Sequence, residues 1–154
     1  MQHSSSAANS QSQPSVAALH ICPGHRKPSL GLSAVKAIVG KGLEGDIHAI
    51  GESSRQVLLV AMETLERFDL GPGILKENIA TRGISLDSLQ HKQRLRIGSV
   101  LMEITKPCAP CDRMEEIRPG LKEALRGQRG MLARIVEGGT ISVGDPLVLE
   151  GPAR

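Results

Sequence analysis

From Val16 onward the apolar residues come in runs of strand length, and turn-forming residues, glycine above all, end them before helix length is reached. The runs are Val16 to Ile21, Ala34 to Val39, Gln56 to Ala61, Arg94 to Ile97, Val100 to Thr105, Met131 to Val136, and Ile141 to Leu149. The last is interrupted by Gly144-Asp145-Pro146. Runs this short, bounded by turn formers, read as strands. Leu95 and Ile97 alternate with Arg94 and Arg96, as in a sheet with one covered face. Gly98-Ser99 joins that run to the next as a two-residue hairpin connection, with glycine where the backbone needs positive φ. Two short helices are expected, Met62 to Phe68 and Pro119 to Leu125, with Pro119 suited to a first turn. Phe68 is expected in the core. The pattern predicts a mainly β fold: an antiparallel sheet closing into a β-barrel, with a few short helices, because closure removes unpaired strand edges.

The chain's 154 residues suit one domain. Residues 1–15 carry no Lys, Arg, Asp or Glu and little apolar area, so they are expected to form a disordered tail ahead of a single domain over 16–154. No window approaches the roughly 20 apolar residues of a membrane span. No charged and then apolar leader opens the sequence, so no membrane and a cytoplasmic location are expected. Phe68 is the lone aromatic residue, which argues against single-strand nucleic-acid binding, where bases stack on aromatic platforms. A net charge of +3 suits a local anion site better than a nucleic-acid footprint.

Three cysteines, Cys22, Cys108 and Cys111, are too few for a disulfide scaffold and point to thiol or metal chemistry. Cys22 reads as a small hydrophobe. Cys108 and Cys111 stand three apart in Thr105-Lys106-Pro107-Cys108-Ala109-Pro110-Cys111-Asp112-Arg113-Met114, a proline-stiffened loop directly after a strand. Lys106 and Arg113 flank the pair and would favour the thiolate, the reactive form. Three chemistries compete for this loop. A dithiol redox centre fits the spacing but wants a βαβ context of parallel strands, which the sequence pattern lacks. A zinc site needs four ligands, and Cys22, His20 and His25 would have to converge from a distance to complete it. The third is a single thiolate that binds a soft transition metal or carries a transferred sulfur.

Polar clusters set among glycines bear on that choice. Lys41-Gly42-Leu43-Glu44-Gly45-Asp46-Ile47-His48 is a glycine-rich turn able to bring backbone N–H groups to an anion. Arg55-Gln56 opens a strand, Glu77-Asn78 precedes Ile79 with groups suited to a heterocycle edge, and Gly127-Gln128-Arg129-Gly130 sets one arginine between glycines. An arginine fork matches phosphate geometry.

In their order and spacing these clusters resemble the MOSC domain, which also occurs at the C-terminus of molybdenum-cofactor sulfurases. The resemblance runs from about Val35 to Leu149 and rests on residues 42–48, Arg55-Gln56-Val57, Glu77-Asn78-Ile79, residues 94–98, the Thr105–Met114 loop, Arg129-Gly130 and residues 136–145. It implies a strongly bent β-barrel and a cysteine that carries sulfur or ligates molybdenum of the molybdopterin cofactor. The matching position is Cys111, as metal ligand and catalytic residue; Cys108 is additional. Lys41, His48, Arg55, Asn78, Arg113 and Arg129 match as candidates for the cofactor's phosphate and pterin.

The resemblance further implies a small molybdenum-dependent oxidoreductase that reduces N-hydroxylated small molecules. The alternative is a carrier holding a persulfide on Cys111 for delivery to cofactor or metal–sulfur clusters. A thiol redox protein using Cys108 and Cys111 is a third reading. There is no second domain with a pyridoxal-phosphate lysine, no Rossmann fingerprint and no ferredoxin cysteine set. Electrons or sulfur are therefore expected from outside, from a separate reductase or a cysteine desulfurase.

Overall fold

The computed structural model describes residues 13–49, 51 and 53–151. Residues 1–12 of the expected tail lie outside them. Ser15 already belongs to the first strand, so the folded part starts earlier than the sequence suggested.

The strands in chain order are β1 (Ser15–Ile21), β2 (Leu30–Leu32), β3 (Ala34–Ile38), β4 (Gly42–Leu43), β5 (Val57–Ala61), β6 (Ile79–Arg82), β7 (Arg94–Ile97), β8 (Val100–Pro107), β9 (Met131–Glu137), β10 (Gly139–Ser142) and β11 (Leu147–Glu150). Helices α1 (Met62–Arg67), α2 (Arg113–Ile117) and α3 (Leu121–Ala124) are all short, and a 3-10 turn spans Leu86–Ser88. The mainly β class is as expected. The β7–β8 hairpin forms with Ile97 opposite Val100 and Gly98 at φ 58°. Among the described residues no helix is long and apolar enough to cross a membrane.

Two expectations need correction. Eight strands form one sheet in the order β11-β7-β8-β9-β5-β6-β1-β2, and β10-β3-β4 form a second; the large sheet is not closed into a barrel by a strand ladder. The start of β1 meets the β10–β11 turn through a single bridge, Ser15 to Pro146, and hydrogen bonds such as Val16 N–H to the Asp145 carbonyl (2.9 Å). Pro146 has no N–H to extend that contact into a ladder. Nor is the sheet wholly antiparallel: β5 and β6 run parallel, joined across α1, so a βαβ unit is present after all. The helix of this unit was expected, over Met62 to Phe68; the strand after it, β6, was not among the runs read from the sequence.

The sheet is covered on both faces. Along β5, Val57 and Leu59 enter one core with Ile79, Leu95, Met102, Ala133 and Ile135. Leu58 and Val60 point the other way, into a second core with Leu65, Leu75, Leu121, Leu125 and Leu132. Burial on both faces explains an unbroken apolar run, Val57-Leu58-Leu59-Val60, in place of alternation. Phe68 packs against the second core, as expected. Met114 and Cys108 are also buried there, which pins both ends of the cysteine loop to the sheet.

Candidate functional site

A cavity of about 240 Å³ lies over Leu58 of β5 and Leu132 of β9. Its walls come from the end of β1 and the next loop (Cys22, Gly24, His25, Arg26), the 46–48 turn (Ile47, His48), Arg55, the turn before β6 (Lys76, Asn78), the cysteine loop and α2 (Cys108, Cys111, Arg113, Met114), and Arg129. Six of the seven candidate residues therefore share one cavity: Cys111, His48, Arg55, Asn78, Arg113 and Arg129. Lys41 does not. It sits exposed in the β3–β4 turn, its N–H bonded to the Ile38 carbonyl, away from the lining. Lys106, expected beside the thiols, is likewise exposed and off the lining.

Asp46 organises one wall. Its buried carboxylate accepts from Cys22 N–H (2.7 Å), His48 N–H (3.1 Å) and Asn78 Nδ2 (3.1 Å), and its Oδ2 lies 3.3 Å from His48 Nδ1. Burial alone would raise the carboxyl's pKa; the hydrogen bonds from His48, Cys22 and Asn78 outweigh it and hold the group below the usual carboxylate range. With Nδ1 engaged, the His48 ring is aimed while most of it stays in solvent. Asn78 has little left for a ligand: Nδ2 also donates to the His20 carbonyl (3.2 Å), and Oδ1 accepts from Leu58 N–H (2.9 Å). It fixes β1, β5 and β6 relative to one another and so positions the wall it belongs to.

Glu77, next to Asn78, is buried and turned away from the cavity lining. Burial pushes its pKa up, against the hydrogen bonds it accepts from Gly73 N–H and Leu75 N–H and the nearby His20. Those bonds shape the turn that carries Lys76 at φ 63°. Arg26 has φ 58°. Left-handed backbone is uncommon for such residues, and two of the four described cases are cations on this cavity. Lys76 Nζ donates to the Lys27 carbonyl (2.8 Å), tying the two turns together.

The charge distribution is uneven. Away from the cavity, Arg82, Arg94, Arg96, Arg126 and Arg134 each face a glutamate within ion-pair distance. Arg26, Arg55, Arg113 and Arg129 line the cavity, and among the described residues none forms an ion pair; no Asp or Glu lines it either. Arg129 is the extreme case. It is 6% exposed, Nη2 donates to the Leu75 carbonyl (2.9 Å), and Nε and Nη1 are buried without a partner. A basin lined by four arginines outside any ion pair, with the Asp46 carboxylate behind one wall as the nearest named counter-charge, suits an anion. Gly130 beside it, at φ 129°, admits no side chain: a Cβ there would lie 2.5 Å from the Leu59 carbonyl oxygen. The Gly130 carbonyl in turn accepts Cys108 N–H (2.9 Å), which hangs the cysteine loop next to Arg129.

All three cysteines are free and all three line the cavity. Cys22 and Cys108 are buried, their thiols turned to the Gly24 and Ala109 carbonyls (3.6 and 3.9 Å). Cys111 is the exposed one, and so the one an incoming ligand can meet. Among the described residues no three of His, Cys, Asp and Glu are grouped to hold a metal ion by themselves. The sequence reading missed Cys22, His25, Arg26 and Lys76 as site residues. Pro23-Gly24-His25-Arg26-Lys27-Pro28, a basic loop between prolines, was the available signal.

Solved structures share this fold. YuaD from Bacillus subtilis matches with a TM-score of 0.76 at 18% identity, covering 92% of this chain and 98% of that one. YiiM from Geobacillus stearothermophilus matches with a TM-score of 0.70 at 21% identity, over 89% of this chain and 75% of that one. YiiM from Escherichia coli matches with a TM-score of 0.66 at 18% identity, over 92% and 70%. Among curated proteins none matches. The sequence model of the MOSC domain matches residues 39–148, a span that holds most of the cavity's walls. With that match over more than two thirds of its length, the chain belongs to the MOSC domain family, a family linked to molybdenum cofactor binding.

Proposed function

We propose that the protein binds molybdopterin in this cavity, with Cys111 as the thiolate ligand of molybdenum, and reduces N-hydroxylated small molecules with electrons from a separate reductase. The observation that carries the reading is the pairing of one exposed thiol with a cationic basin in which Arg129 keeps two buried nitrogens unpartnered. These residues fit the group: a thiolate suits a soft metal, and unpaired arginines suit a phosphorylated, anionic pterin. Arg55, Arg113 and Arg129 would hold the phosphate. When bound, the cofactor supplies a two-electron redox centre. Around it, Leu58 and Leu132 form a dry floor, and Asp46 aims the His48 ring, which holds a proton for the departing oxygen. The overall reaction is R–NHOH + 2e⁻ + 2H⁺ → R–NH₂ + H₂O.

The exposure of Cys111 beside two buried thiols also favours a second reading, in which a desulfurase persulfide passes its outer sulfur to the Cys111 thiolate and leaves as a thiolate. One experiment separates the two. Protein from a molybdenum-replete, cofactor-competent host is assayed for molybdenum and for released, fluorescent pterin, wild type beside Cys111→Ala. Stoichiometric cofactor lost in the variant supports the oxidoreductase. No cofactor in either, with labile sulfur on wild type after incubation with a desulfurase, supports the carrier. A Cys108→Ser variant that loses all activity yet retains cofactor would point to dithiol chemistry instead.

A further inference from the structure

We propose that Glu77, which does not line the cavity, is a positioning residue for the bound anion: through the Gly73–Lys76 turn it aims Arg129 and Lys76 at the ligand space; this rests on the reading of the cavity as an anion site. Glu77 is buried, and its carboxylate accepts Gly73 N–H and, at 3.2 Å, Leu75 N–H. Both donors belong to buried residues, and among the described residues neither has another acceptor. The carbonyl of the same Leu75 accepts Arg129 Nη2 (2.9 Å), the one hydrogen bond that guanidinium makes among the described residues. One carboxylate thus fixes the stretch of backbone from which the buried cation hangs.

The turn needs holding. Gly73 has φ 86° and Lys76 φ 63°, two left-handed residues within four, and a lysine keeps that conformation where its surroundings impose it. The turn's own backbone bonds serve only Ile74 N–H, on the Gly71 carbonyl (3.2 Å), and Lys76 N–H, on the Gly73 carbonyl (3.0 Å). Gly73 also packs on the His20 ring, where a Cβ would lie 2.9 Å from Cδ2, and Asn78 N–H bonds the Leu58 carbonyl (2.9 Å). The ends of the turn are therefore anchored to β1 and β5, while Leu75 between them depends on Glu77. Charge and geometry predict opposite signs for this residue. As a mere negative charge behind a cationic basin, Glu77 would weaken anion binding and its removal would tighten it. As a brace it strengthens binding, and its removal loosens it. Glutamine has the same shape, but its NH₂ accepts no hydrogen bond, so one of the two N–H groups loses its partner.

The test titrates the full chain with inorganic phosphate by calorimetry, for wild type, Glu77→Gln, Arg129→Met and the double variant. Glu77→Gln should raise the phosphate Kd about tenfold on its own and less than about threefold beside Arg129→Met, since a brace acting through Arg129 then has little left to aim. Unaltered or tighter binding in Glu77→Gln overturns the proposal. So does an equal loss in both backgrounds, the mark of a fold loosened in general. Phenylglyoxal labelling read by mass spectrometry gives a measure without ligand: Arg129 should react about tenfold faster in Glu77→Gln, while Arg96 on β7 keeps its rate. If wild type binds no phosphate, the anion reading falls and labelling alone judges the brace; an Arg129 as protected in the variant as in wild type overturns it. Should Glu77→Gln not fold, Glu77→Asp, which keeps the charge but is one methylene short of both N–H groups, replaces it in both measurements.

Discussion

Replacing Arg129 with methionine should stabilise the ligand-free protein while removing its response to anions. In the folded state the guanidinium is 6% exposed with Nε and Nη1 unpartnered, and only Nη2 has an acceptor, the Leu75 carbonyl. An unmet buried donor costs about 1–3 kcal/mol, against about 1 kcal/mol from the one bond made. Methionine fills similar space without those donors, for a net gain of about 2 kcal/mol. For a chain of this length that is a rise in Tm of about 4–8 °C. The assay is thermal unfolding followed by far-UV circular dichroism in buffer free of oxyanions, then with phosphate added. Phosphate at about 100 times its Kd should stabilise wild type by about 2.7 kcal/mol and Arg129→Met far less. A variant that melts below wild type without phosphate, or one that phosphate stabilises equally, refutes the view of Arg129 as an uncompensated charge awaiting an anion.

Gly130→Ala should destabilise by at least about 2 kcal/mol in urea unfolding, since the added Cβ meets the Leu59 carbonyl and φ is 129°. Asp46, its pKa lowered in the fold, contributes stability that is present above its unfolded value near 3.8 and is lost as pH falls through the lower folded value. Acid unfolding of Asp46→Asn should therefore lack that final loss, from a baseline about 1–3 kcal/mol lower at neutral pH. Glu77 has the opposite sign: its raised folded pKa favours the fold below its unfolded value, and that contribution fades as pH rises through the folded one. Glu77→Gln should remove the decline in stability that sets in above the ordinary carboxylate value in denaturant titrations at stepped pH. Lys41→Ala should leave bound pterin unaltered, because the side chain is off the cavity.

The strands legible in the sequence were those lying in apolar runs bounded by turn formers: β1, β3, β5, β7 through β9, and β10 and β11 as the run Ile141 to Leu149 broken at Gly144-Asp145-Pro146. β2 and β4 have three and two residues, too few to carry a period, and β6, Ile79-Ala80-Thr81-Arg82, lacks the clean alternation that marked the equally short β7; missing β6 hid the parallel pair with β5. The site was legible where polar groups interrupt glycine-rich turns, as at His48, Arg55, Arg113 and Arg129. The same reasoning gave Lys41 and Asn78 roles that depend on direction: Lys41 points elsewhere, and the Asn78 amide is consumed by its own scaffold. Cys22, Arg26 and Lys76 reach the cavity through the β1–β6 pairing and the Lys76 bond to Lys27, contacts between residues far apart in the sequence that no local pattern encodes.

The family match begins at residue 39, yet Cys22, Gly24, His25 and Arg26 already face the ligand space. One side of the basin is thus furnished by a stretch that the shared sequence signature does not govern. Such a part can be exchanged like a fitting while the basin behind it stays fixed. Two proteins of this fold, alike in Arg129 and in their cysteine loop, could then admit different guests by the length and charge of this loop alone. Grafting residues 22–28 between relatives should change which anions bind while leaving the cysteine loop as it is.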